Sequence, residues 1–192
     1  MSWSFGEIRA LAIKAARGAG MPWGLAEEAG FAAIWLEERG IPGVEALAVY
    51  LEEISDYSTG SCPIASGAAI SDSGEWQNAF PKQLFQPLLV VPFLANVLAS
   101  NSVALKWNGH SLIVNAAGIS GDFAKDAISK GLQDCTLQEG MISSLSIYRL
   151  PRIQPDRAPF VMILEKLAHK TYAPSTEESR AKGAGAGLND ND

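Results

Sequence analysis

Cys62 follows the loop Ser58-Thr59-Gly60-Ser61 and directly precedes Pro63. A thiol at a loop-to-strand junction, with His110 or Asp72 brought beside it by the fold, would form a nucleophile–base pair. Nothing in the spacing places His110 next to Cys62. The heavier reading is therefore a small buried hydrophobe. An Arg–carboxylate site is the other catalytic arrangement the composition allows. Binding chemistry is concentrated near the C-terminus. Arg180 carries a planar fork of donors suited to a carboxylate or phosphate, with Ser179 and Lys182 alongside. Glycines at 183, 185 and 187 would let backbone amides approach the same anion. Trp76, in a polar stretch at 71–82, is the tryptophan best placed for a ligand or partner.

Other chemistries are poorly supplied. The run Gly183-Ala184-Gly185-Ala186-Gly187 lacks a preceding strand, a following helix and a Lys-Ser or Lys-Thr pair, so it does not read as a phosphate loop. No Cys-x-x-Cys or His-x-x-x-His occurs, and His110 and His169 are far apart in sequence. The oxygens of Asn189-Asp190-Asn191-Asp192 would suit a hard cation, but a polar chain end reads as solvated. No metal and no cofactor is expected. His110 reads as a hairpin residue, and His169 as a cation favoured by a helix C-terminus.

The chain has 192 residues, 47% of them apolar, enough to bury a sizeable core in one domain. Its formal charge of −6 repels phosphate backbones and argues against nucleic acid. The charge is uneven. Residues 1–56 carry nine acids and four bases, whereas 149–182 carry seven bases and four acids. Two differently charged solvated surfaces explain this, and an anion-attracting C-terminal face is the sharper alternative. The first twenty residues hold Glu7, Arg9, Lys14 and Arg17, which does not fit an export signal. The most apolar stretch, 87–99, is too short for a bilayer, which needs about 20 residues. With two cysteines only, the expectation is a reduced, cytoplasmic protein off the membrane.

The elements that would position these residues are mixed. Ser4 and Glu7 form a capping box ahead of a first helix that Gly18 and Gly20 end. Pro22 opens a second helix, whose buried stripe is Leu25, Ala29, Ala32, Ala33 and Leu36 and whose wet side is Glu27, Glu28, Glu37 and Glu38. Gly40 stops it and Pro42 starts a third. Residues 62–70 suit a buried strand, 71–82 an exposed loop and 93–99 a helix, with 88–91 open. Strands at 103–107 and 110–114 flank Asn108-Gly109, the pair that suits a type I′ turn. A short helix follows from Asp122 to Lys130, then a β-rich stretch at 141–150. Asp156 caps a last helix. The expectation is an α+β fold over 1–172, three N-terminal helices packed with a small antiparallel sheet and a C-terminal helix, followed by a Gly/Ala-rich tail at 173–192.

Three segments carry a resemblance. They are 15–30 around Trp23-Gly24-Leu25-Ala26-Glu27-Glu28, then Gly60-Ser61-Cys62-Pro63-Ile64, then 171–180 with the Gly/Ala run and Asn189–Asp192. Together the chain resembles an uncharacterised proteobacterial family known only as a domain of unknown function. The resemblance implies no activity. The expected function is a small-molecule-binding or accessory protein acting with a partner enzyme in cytosolic metabolism. The expected ligand is a small anion, and a partner protein or homo-oligomer is a further expectation. The alternative is a small enzyme using Cys62 or an Arg–carboxylate site.

Overall fold

A computed structural model of the chain describes residues 2–54, 57, 60–99, 101–116, 118–121, 127–128, 130–140 and 149–172. The fold is α+β. Helix α1 (Phe5–Gly18) starts at the expected capping box. The Ser4 hydroxyl takes the Glu7 amide at 3.2 Å, and the Glu7 carboxylate takes the Ser4 amide at 2.8 Å. Those hydrogen bonds favour the ionised form and hold the Glu7 carboxyl below its usual range. Helices α2 (Trp23–Glu38) and α3 (Gly43–Glu53) follow, and α1 packs chiefly on α2 and on the last helix, α7 (Ala158–His169).

Small residues set these approaches. A Cβ on Gly18 would run into the Leu167 carbonyl of α7, and one on Gly43 would run into the Ala33 carbonyl of α2. The helix axes can come this close only because those side chains are absent.

Five antiparallel strands form the sheet, in the order β1-β5-β2-β3-β4. They are β1 (Gln83–Phe85), β2 (Ser102–Trp107), β3 (His110–Asn115), β4 (Gly118–Gly121) and β5 (Leu132–Glu139). The β2–β3 hairpin is as the sequence predicts. Trp107 pairs with His110, and Asn108 and Gly109 have φ of 43° and 79°, both positive as a type I′ turn requires. Val103, Leu105, Leu112 and Val114 are buried, and α6 (Val91–Val97) packs on β3. Helices and sheet contribute to one hydrophobic cluster.

Four expectations are corrected. Residues 62–70 are not a strand. They begin α4 (Pro63–Ser73), with Pro63 in its first turn and Cys62 as N-cap. The stretch 71–82 is not one loop, because it holds the end of α4 and the short helix α5 (Trp76–Ala79). Asp156 does not cap α7. It lies in a 3-10 turn, Pro155–Arg157, where its carboxylate takes Arg157 Nη1 at 3.0 Å. Glu37 is on no wet side, being 1% exposed. Around 88–91 and 93–99, a 3-10 turn at Pro87–Val90 leads straight into α6, and each proline sits in a first turn, where its missing N–H costs nothing. The helix expected from Asp122 lies largely outside the described residues, as do 141–148 and the tail at 173–192.

Candidate functional site

Lys14 and Arg17 are on the last two turns of α1, and Lys170 directly follows α7. The close approach at Gly18 brings the C-terminal ends of the two helices together. The three cations thus line one cleft of about 580 Å³, with Trp23 at the start of α2. Ile13, Gly18, Gly20 and Thr171 complete its wall. Trp23 is 62% exposed, unusual for so large an apolar side chain. The Arg17 guanidinium lies 5.5 Å from the centre of its ring, and Arg17 Nη1 donates to the Met21 carbonyl at 2.6 Å. That bond uses one of five donors. Ion pairs among the described residues involve Arg39 and Arg157, not Lys14, Arg17 or Lys170.

Helix dipoles account for part of this. A C-terminus carries roughly half a negative charge, which favours a cation in the last turn. Two such ends amount to about one charge against three whole cations. The surplus is positive, and it borders an exposed aromatic face in a concavity of the usual size for a small ligand.

The Cys62 surroundings differ in kind. Cys62 is fully buried, and its sulfur takes the Tyr50 hydroxyl at 3.0 Å and the Ala65 amide at 3.3 Å. It caps α4 and fills space. Burial, together with the nearby thiol, pushes the Tyr50 phenol well above its usual value. The same two causes push Tyr57, whose ring meets Tyr50 edge-on, up to about 12. Asp72 is exposed on the last turn of α4, ten residues or about 15 Å along the axis from Cys62. His110 opens β3, with its ring 5.6 Å from that of Trp107. The described contacts of Cys62 include neither residue. Trp76 is half-buried against the core, and Ser179, Arg180 and Lys182 lie outside the described residues.

An Arg–carboxylate pair does exist. Glu37 Oε1 accepts from Arg157 Nε at 2.9 Å and from the Val44 amide at 3.0 Å. The side chain of Pro42 has no acceptor to cap α3, so a carboxylate from the end of α2 does it and ties in the start of α7 through Arg157. Burial raises the Glu37 pKa above its ordinary value, and Arg157 opposes the rise. Glu37 is buried and Arg157 is largely so, and the pair joins the end of α2 to the starts of α3 and α7.

Sequence reading passed over Lys14, Arg17, Trp23 and Lys170. The cluster Arg17-Gly18, Gly20 and Trp23 was a signal, but Lys170 is remote in sequence. A family model described as Protein of unknown function (DUF3726) matches residues 3–74. The resemblance to an uncharacterised family holds over that stretch, which spans α1 to α4 and includes Lys14, Arg17, Trp23 and Cys62 but not Lys170. No curated protein and no solved structure matches the chain. No described helix is long and apolar enough to cross a membrane, and no group of three or more His, Cys, Asp or Glu among the described residues could hold a metal ion.

Proposed function

We propose that this chain binds a small organic anion with a planar apolar part, in the cleft between α1, α2 and α7, and that it serves a partner enzyme in the cytoplasm. The observation that carries the reading is the convergence of Lys14, Arg17 and Lys170, without ion-pair partners among the described residues, beside the exposed ring of Trp23. The cations would hold the charged group, and the indole face would stack on the planar part. Binding is preferred over turnover because the described lining holds no carboxylate, thiol or imidazole, and the Thr171 hydroxyl already donates to the Ala168 carbonyl at 2.7 Å. Free, buried Cys62 and Cys135 suit a reduced compartment.

Phenyl phosphate provides the test, with benzyl alcohol as the neutral control. Titration calorimetry and amide NMR should show saturable binding of phenyl phosphate alone, with shifts at Gly18, Gly20 and the Trp23 indole. Each of Lys14→Gln, Arg17→Gln and Lys170→Gln should weaken binding by about two- to five-fold, the worth of one semi-exposed charge contact. Unchanged binding in the triple variant would refute the site.

A further inference from the structure

Cations in the last turn of a helix ordinarily serve its terminal carbonyls. At the cleft between α1, α2 and α7 those carbonyls already have donors. At the end of α1, the Ala15, Ala16 and Arg17 carbonyls take the amides of Ala19, Met21 and Gly20 at 2.9–3.0 Å. At the end of α7, the Leu167, Ala168 and His169 carbonyls take the amides of Lys170, Thr171 and Tyr172 at 3.0–3.2 Å. The Thr171 hydroxyl gives Ala168 a second donor. The chain's own amides do the capping, so the ammonium groups of Lys14 and Lys170 are not needed for it.

The charge of the cleft can be counted. None of its described lining residues is acidic. Three cations, less about one charge from two helix C-termini, leave a surplus of about two. The cations are also placed to share one group. Lys14 and Arg17 are three residues apart on α1, so their Cβ atoms are about 5–6 Å apart on one face. The Met21 carbonyl holds the Arg17 guanidinium, which lies 5.5 Å from the centre of the Trp23 ring. An anion on Arg17 is therefore within reach of the Lys14 ammonium and next to the indole. A singly charged carboxylate or sulfate would leave about half of the surplus uncompensated. A phosphate monoester brings close to two charges at pH 7.5, spread over three terminal oxygens, one for each cation.

We infer that the cleft selects a doubly charged phosphoryl group, so that its ligand is a phosphate monoester joined closely to a planar ring. The inference rests on the anion-site reading of this cleft and adds to it the charge and the group. Arg17 supplies directional donors beside the indole, and Lys14 and Lys170 supply point charges. The first negative charge of the ligand cancels about half of the surplus. The second still faces about one positive charge, which at about 4 Å in water is worth about five-fold in affinity.

Phenyl phosphate and phenyl sulfate isolate that second charge, since they share the ring, the linking oxygen and a tetrahedral end with three terminal oxygens. In NMR titrations of the full chain at pH 7.5 and low salt, phenyl phosphate should bind about five-fold more tightly. In the double variant Lys14→Gln with Lys170→Gln, which removes the surplus, the ratio should fall to about one. A ratio within about two-fold in the parent protein overturns the inference and leaves the anion-site reading standing. A ratio that stays near five-fold in the double variant also overturns it, because the discrimination would then come from elsewhere. Terephthalate carries its two charges on carboxylates at opposite sides of a ring and should bind no more tightly than phenyl sulfate. Terephthalate matching phenyl phosphate overturns the assignment of both charges to one phosphoryl group. Binding of none of the three brings down the anion-site reading and this inference with it.

Discussion

Replacing Arg157 by Met would isolate an ion pair whose carboxylate is buried. Arg157 Nε lies 2.9 Å from Glu37 Oε1, and Glu37 is 1% exposed. Met keeps the apolar stem of the arginine and deletes the charge. The Glu37 carboxylate would then retain one partner, the Val44 amide at 3.0 Å, while Oε2 already has none among the described residues. An uncompensated buried carboxylate costs about 3–5 kcal/mol. Glu37 can escape by taking up a proton, so the cost must depend on pH. Burial already raises its folded pKa above the ordinary value, and deletion of Arg157 removes the chief opposing influence. A carboxylate with a raised folded pKa contributes stability that is present below the unfolded pKa and is lost as pH rises through the folded one. Urea unfolding should therefore show Arg157→Met about 3 kcal/mol less stable than the parent near pH 7.5, with a deficit smaller by at least about 1 kcal/mol near pH 5. Glu37→Gln in the Arg157→Met background should recover much of the loss near pH 7.5 and remove its pH dependence. An Arg157→Met deficit below about 1 kcal/mol, or one equal at both pH values, would refute the account.

Gly18→Ala should lower stability by about 2–4 kcal/mol, because its Cβ would meet the rigid Leu167 carbonyl, whereas Gly24→Ala, which meets nothing within 4 Å, should be neutral or mildly stabilising by thermal melting. Gly109→Val should cost about 1–2 kcal/mol at its φ of 79°, and Asn108→Gly should cost little; melts that rank these the other way would contradict the turn. Ellman titration without reductant should find both Cys62 and Cys135 slow in the native protein and both reactive once it is unfolded, and burial, which pushes the Cys135 thiol up to about 11, reinforces its inertness.

Features set by neighbouring residues were legible in the sequence. Ser4 and Glu7 need only each other and three residues of chain, and Asn108-Gly109 selects its turn from the φ values it tolerates. Legibility failed where local preference was ambiguous. The run after Cys62 is small and apolar with no clear period, so a strand and a buried helix fit it equally. Pro63 in a first turn was the discriminating signal. Glu37 shows a different limit. Its neighbour Glu38 is half-exposed and its own face is decided by α3 and α7, whose Val44 amide and Arg157 supply the partners that make burial tolerable. The cleft is the extreme case. Lys14, Arg17 and Trp23 are close in the sequence, but the cleft they line is completed by Lys170, which follows a helix that packs on α1 where Gly18 has no side chain. The start of α1, the hairpin and the mixed class are short-range choices of backbone geometry and can be read from neighbouring residues alone. Which charges are buried and which converge is set by packing, because electrostatic partners more than a hundred residues apart leave no local trace.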